Sequence, residues 1–300
     1  MLRGALPCFI VIALLSTGAR AATTYYVSSG YGDDSNDGRS MARAWKTLGR
    51  VNGEALAPGD TILLRRGDAW EETLKPSMSG AAGKRITFGA YGDGARPVIS
   101  GSHVRESNID NNEQSHIVYQ DLDLRNAQRG LRLYSWSRRV EDITLQDSLI
   151  STGPGVGGWM SAGVYVSVHT GRVSALTIRR NTFWPYPKGL MHWGVYFVQG
   201  ASDFRIQNNR FGPAGEDAIC IWHSENGVIA SNRGGGNGEN TVDVKDSQGV
   251  RIENNFADND GEYNIVVHSV DGEGLTSNVV VARNRCVRGG QGGSLSAGIA

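Results

Sequence analysis

The 300-residue chain has three cysteines, eight prolines and no excess of either charge, with 30 Lys+Arg against 30 Asp+Glu. Cysteines at positions 8, 220 and 286 are too few for a disulfide framework. No C-x-x-C or Cys/His spacing points to zinc, so Cys220 and Cys286 are expected as free thiols, one of them buried. The charge balance excludes the basic excess that marks a nucleic-acid-binding protein. No apolar run approaches the roughly 20 residues that a membrane-spanning helix needs. What the chain does have is glycine, 41 residues, about twice the usual share. Without a Gly-X-Y period, collagen is excluded, and much glycine with little proline suggests many tight turns between short strands.

Met1–Ala21 has the pattern of a secretory leader. Arg3 supplies a positive start, Phe9–Leu15 an apolar centre, and Ala19-Arg20-Ala21 a small-x-small cleavage site. The expected mature protein is exported, periplasmic or extracellular, spans no membrane and is a monomer.

The remainder is organised by a repeat. Leu176–Asn181, Phe204–Asn209, Gly227–Asn232, Val250–Asn255 and Val279–Asn284 each alternate apolar and other residues. Each ends on Asn three positions after an Ile or Val, and the Asn spacings are 28, 23, 23 and 29. Ile143–Ile150 is a degenerate earlier copy. About ten residues after each Asn comes a second alternating pair, as in Ile219/Ile221, Val242/Val244 and Ile265/Val267. A solenoid coil of two or three short strands needs about this many residues. Stacked rungs align Ile178, Ile206, Ile229, Ile252 and Val281 inside, and line Asn181 to Asn284 into a ladder at one turn, about 4.8 Å apart. Ile62/Leu64 and Ile86/Phe88 look like opening rungs in register 24 apart. Ala44–Leu56 reads as a short helix capping the open end, because a terminal rung needs cover against edge pairing. After Asn284 a further strand is expected near Ser294, so the chain reads as ending in mid-rung, a truncated product.

The opening residues Tyr25–Ser28, Asp33–Gly38, Ala44–Leu48 and Ala57–Ile62, together with the repeats, resemble the secreted bacterial right-handed parallel β-helix proteins of the pectate-lyase-like group. The resemblance covers nearly all of residues 22–300. It implies an all-β fold, a single-stranded right-handed parallel β-helix of about 23–30 residues per rung with a short N-terminal capping helix. It speaks less clearly to chemistry, since this fold hosts lyases, hydrolases, epimerases and adhesins. The family's calcium-binding aspartate cluster has no match here. Neither the Asp-Pro-His-Asp signature of alginate epimerases nor the Asn-Thr-Asp and Gly-His-Gly signatures of galacturonan hydrolases is present. Asp33–Gly38 is a folding signature and not an EF-hand loop, because Ala44 stands where the closing Glu belongs.

Gly215-Glu216-Asp217, Gly238-Glu239-Asn240 and Gly261-Glu262-Tyr263 recur every 23 residues. Stacking them places Glu216, Glu239 and Glu262 in one column. Adjacent carboxylates about 5 Å apart repel by about 0.8 kcal/mol in water and about 3 kcal/mol at an effective dielectric of 20. Such a column calls for a cation, with Ca²⁺ suited to hard oxygen ligands and Asp243 a further candidate ligand. The alternative is a solvated turn whose glutamates splay apart or pair with Arg210 and Arg233. On the next strand, Trp222, Lys245 and His268 form an outward column beside Cys220, Asp243 and Val266. An indole face beside fixed charges suits a sugar-binding cleft, and an ordinary polar sheet face is the alternative.

Two functional classes stay open. One is a polysaccharide lyase acting on a uronate-containing chain of pectate or alginate type, or a glycoside hydrolase on the same fold. The other is a non-catalytic polysaccharide-binding protein or adhesin. For the lyase, a cation at Glu216, Glu239, Glu262 and Asp243 neutralises the uronate carboxylate, and Lys245 or His268 removes the C5 proton. Trp222 stacks on a sugar, with Arg233 and His223 as further substrate contacts. His223 and His192 also read as plain turn histidines.

Overall fold

The structure, a computed structural model, describes residues 20–153, 161–184, 191–270 and 274–289. The leader-like segment and the expected final strand near Ser294 fall almost wholly outside them. Among the described residues the strands form three parallel sheets of 11, 9 and 7 strands. Each turn of the chain contributes one short strand to each sheet before climbing to the next rung, which gives a right-handed parallel β-helix. No helix among the described residues is long and apolar enough to cross a membrane.

The alternation read from the sequence is the inside of this coil. Leu145 pairs with Ile178, and the column continues through Ile206, Ile229 and Ile252 to Val281. All but Val281 are fully buried. On the seven-stranded sheet, Leu131, Val164, Val195, Ile219, Val242 and Ile265 form the facing column. The opening rungs differ from expectation by two residues, since Ile62 pairs with Phe88 and not Ile86. A slip of two preserves the inward face, so the apolar pattern alone does not detect it.

The asparagine ladder is continuous. The Oδ1 of Asn209 accepts from Asn181 N at 2.9 Å, that of Asn232 from Asn209 N at 3.0 Å, and that of Asn255 from Asn232 N at 2.9 Å. Each Nδ2 also donates to the carbonyl of a core residue, as from Asn232 to Ile206 O at 2.8 Å. The residue before each ladder Asn is left-handed, with φ between 54° and 57° at Arg180, Asn208, Ser231, Asn254 and Arg283. This corner exposes backbone N–H groups inward, and the asparagine side chains satisfy them where water cannot reach. Ser148 occupies the same position in the degenerate copy, its N–H donating to Asn181 Oδ1 at 3.0 Å.

At the N-terminal end the expected helix is shorter. A 3₁₀ turn at Met41–Arg43 and a helix at Leu48–Asn52 flank an extended Trp45, which bridges to Val27. Trp45 is fully buried and stacks on Tyr25 at 4.6 Å, a contact that helical continuation would remove. Asp34 accepts from Lys46 N and Thr47 N at 2.8 and 3.0 Å. The acidic opening motif therefore fixes the cap, as the folding-signature reading holds.

Candidate functional site on the seven-stranded sheet

The outward residues of the seven-stranded sheet fall into two columns. One runs Asp110, Arg132, Tyr165, Tyr196, Cys220, Asp243, Val266. The other brings Trp222, Lys245 and His268 side by side on consecutive rungs. Register alone thus assembles the expected trio, and Asp243 joins it from below. Lys245 Nζ lies 2.8 Å from Asp243 Oδ2, and His268 Nε2 lies 3.2 Å from Oδ1 without hydrogen-bond alignment. The carboxylate is 3% exposed, the lysine 22% and the imidazole 43%, so the two basic groups cover the acid and face solvent.

Trp222 is held by its Nε1 donating to Asp246 Oδ2 at 2.8 Å, with the Lys245 ammonium 5.8 Å from its ring and His223 stacked at 5.5 Å. A cleft of about 460 Å³ lined by Val168, His169, Gln199, Gly200 and His223 adjoins it. On the other side Trp193 stacks on Tyr196 at 4.3 Å, next to Cys220.

Asp217, missed in the sequence, completes the site with Cys220. Asp217 and Cys220 lie with Asp243 so that one ligand atom from each is within 4.8 Å of the others, all three buried. Strict alternation from Cys220 points Asp217 inward. A bend after Asp217 reverses the parity instead, sending Ala218 into the core and Asp217 outward. The signal was present in the Gly-Glu-Asp tripeptide, whose Asp aligns with Asn240. Asp217 Oδ1 accepts both the N–H and the Nδ2 of Asn240, at 3.1 and 2.8 Å. Burial, then the Asp243 charge, push the Asp217 carboxyl up to about 8, so it is protonated at neutral pH. Burial and the same carboxylates raise the Cys220 thiol.

A lysine that serves as the base works best with a depressed pKa, and the surroundings of Lys245 act the other way. Burial alone lowers it, but the Asp243 carboxylate outweighs burial and raises the ammonium above its ordinary value. These surroundings favour the charged ammonium at Lys245.

The glutamate column forms, with Glu239 N donating to Glu216 O at 3.1 Å and Glu262 N to Glu239 O at 3.0 Å. Gly238 and Gly261 permit this approach, since a Cβ on either lies 2.0 Å from the preceding glycine's carbonyl oxygen. Burial, then the next glutamate along, raise Glu216 and Glu239, while Lys245 opposes the shift. Among the described residues, however, the converging ligand atoms are those of Asp217, Cys220 and Asp243, not of the glutamates. A neutral thiol and a protonated carboxyl with an ammonium at 2.8 Å do not make the six to eight oxygen ligands that calcium takes. That buried trio is therefore not a calcium site of the usual kind. Arg233 also stands apart from this site, on the nine-stranded sheet over the Phe256 ring at 4.3 Å.

The chain is a right-handed parallel β-helix protein, and residues 162–298 match the family described as "Right handed beta helix region". A lacto-N-biosidase of Bifidobacterium longum is 37% identical over 108 residues, 34% of this chain and 7% of that protein's length. Among solved structures, the GH136 lacto-N-biosidase of Eubacterium ramulus superposes with a TM-score of 0.63 at 15% identity, over 89% of this chain and 68% of that one. An alginate lyase from a Paenibacillus species superposes at 0.58 and 14% identity, over 91% and 99%. At such identities these structures share the fold.

Proposed function

We propose that the protein cleaves a uronate-containing polysaccharide by β-elimination on the outer face of the seven-stranded sheet. The observation that carries this reading is the Lys245–Asp243–His268 cluster beside the Trp222 indole. The Lys245 ammonium, held charged by Asp243, is placed to pair with a uronate carboxylate and so acidify the C5 proton. His268, the more exposed base, has Nε2 turned toward Asp243 and its other ring nitrogen available for that proton. As the C5–H bond breaks, its electron pair forms the C4=C5 double bond. The C4–O bond breaks, and the leaving oxygen takes a proton from water. Apo geometries of this kind tighten on substrate binding, so the unaligned His268 contact is compatible with the role.

A second reading has its own observation. Asp217 is a neutral carboxyl beside the Asp243 carboxylate, the acid and base pairing of a glycoside hydrolase, and lacto-N-biosidases are among the similar proteins. Both aspartates are almost fully buried, which favours the lyase.

Incubation with pectate, alginate and neutral glycans separates these readings. Ultraviolet absorbance of an unsaturated product, surviving in chelator because Lys245 supplies the positive charge, is expected on a polyuronate. Lys245→Gln and His268→Ala are each expected to lower turnover by about 100-fold or more. New reducing ends without absorbance carry the hydrolase instead, and no product on any glycan leaves a binding protein.

A further inference from the structure

Arg233, separated from the cluster above, belongs to a second cleft. On the nine-stranded sheet it pairs in register with Arg210, one rung away. Together with Trp184 and Phe256 they line a cavity of about 220 Å³. Trp184 is 46% exposed, and the Arg210 guanidinium lies 5.7 Å from its ring. Gly212 and Gly235, two positions further along the same strands, carry no side chains, so the space beside the guanidinium groups stays open. Gly235 has no alternative, because its φ is +153° and a Cβ there lies 2.1 Å from Asp258 O.

Among the described residues, cations outnumber carboxylates in this cleft. The one carboxylate lining it is Asp258, which accepts from Arg288 Nε and Nη2 at 2.9 and 2.7 Å and offsets only part of the charge of Arg233 and Arg285. Arg285 adds a further cation over the Phe256 ring at 5.6 Å. Two forked guanidinium groups on adjacent rungs, held by aromatic faces, are suited to a planar carboxylate. An exposed indole beside them is suited to the C–H face of a sugar ring. We propose that this cleft is a second glycan-binding site, on a different face of the β-helix from Lys245, which takes a uronate residue of an acidic polysaccharide. Trp184 stacks on the ring, and Arg210 and Arg233 hold its carboxylate. Its place on another sheet suits anchoring of a polymer and not cleavage.

The site is read by binding, without turnover, so it stands or falls separately from the β-elimination chemistry. In affinity electrophoresis the wild type is expected to be retarded by polygalacturonate or alginate and not by neutral dextran. Arg210→Gln/Arg233→Gln is expected to weaken that binding about tenfold or more, with an unchanged thermal melt. Trp184→Ala, which keeps both charges, is expected to weaken it as well. The proposal is overturned if no polyuronate retards the wild type, if dextran retards it equally, or if both cleft variants migrate as the wild type does.

Discussion

Asp217 holds a proton that an exposed aspartate gives up at pH 4, and this links the site to stability. Its folded value near 8 lies above the ordinary aspartate value of 3.8, with burial the first cause and Asp243 the second. A raised carboxyl means that the native state binds more protons than the unfolded state between about pH 4 and about pH 8. Stability therefore falls as pH rises through that window and levels off above it. Asp217→Asn keeps the Oδ1 that accepts from Asn240 and removes the ionisation. The variant is expected to match the wild type near pH 4 and to exceed it increasingly towards pH 8. The gain is read as a rise in Tm, roughly 2–4 °C per kcal/mol. Melting curves across this range check it. A wild type whose Tm advantage over the variant grows with pH contradicts a protonated Asp217.

Among the elements, the asparagine ladder supports the corner that returns each rung. Asn232 gives Nδ2 to Ile206 O and Asn255 Oδ1, and its Oδ1 takes the N–H and the Nδ2 of Asn209. Asn232→Ala leaves several buried groups unpaired, at about 1–3 kcal/mol for each. A loss of about 3 kcal/mol or more is expected by denaturant titration. Arg233→Ala, one residue on and exposed, is expected to change stability by less than about 0.5 kcal/mol. This ladder was legible because one residue type recurs at one place in a regular period. Lys245 beside His268 and Trp222 was legible for the same reason, since a 23-residue register fixes what stacks on what. What failed was local. The parity of a strand does not carry through a bend, which hid Asp217, and a helix-like composition does not outweigh the burial of Trp45. The sequence put Asp243 in the column beside Lys245 but not in contact with it, and it is that contact that sets the lysine's charge.

At the scale of the molecule, a solenoid has no single centre. Each inward side chain packs mainly against its own rung and the two beside it, so protection varies along the axis. Ile206, Ile229 and Ile252 are fully buried, while in the last described rung Val279, Val281 and Cys286 are only partly buried against the core. Cys220 and Cys286 sample the two regimes. Cys286 pairs in register with Ala257 in that last rung. Cys220 is 2% exposed within the outer cluster of Ala162, Trp193 and Tyr196, and its thiol is raised by burial and by Asp217. Burial raises the Cys286 thiol too, so the contrast in alkylation rests on the deeper burial of Cys220. Under native conditions a maleimide is therefore expected to label Cys286 about 100-fold or more faster than Cys220. Cys220 is expected to react only at denaturant concentrations where the middle rungs open. Mass spectrometry of timed labelling reads both sites at once. Equal native rates at the two cysteines mean that the aromatic cluster over Cys220 opens freely, and with it the face on which Asp243 and Lys245 are held.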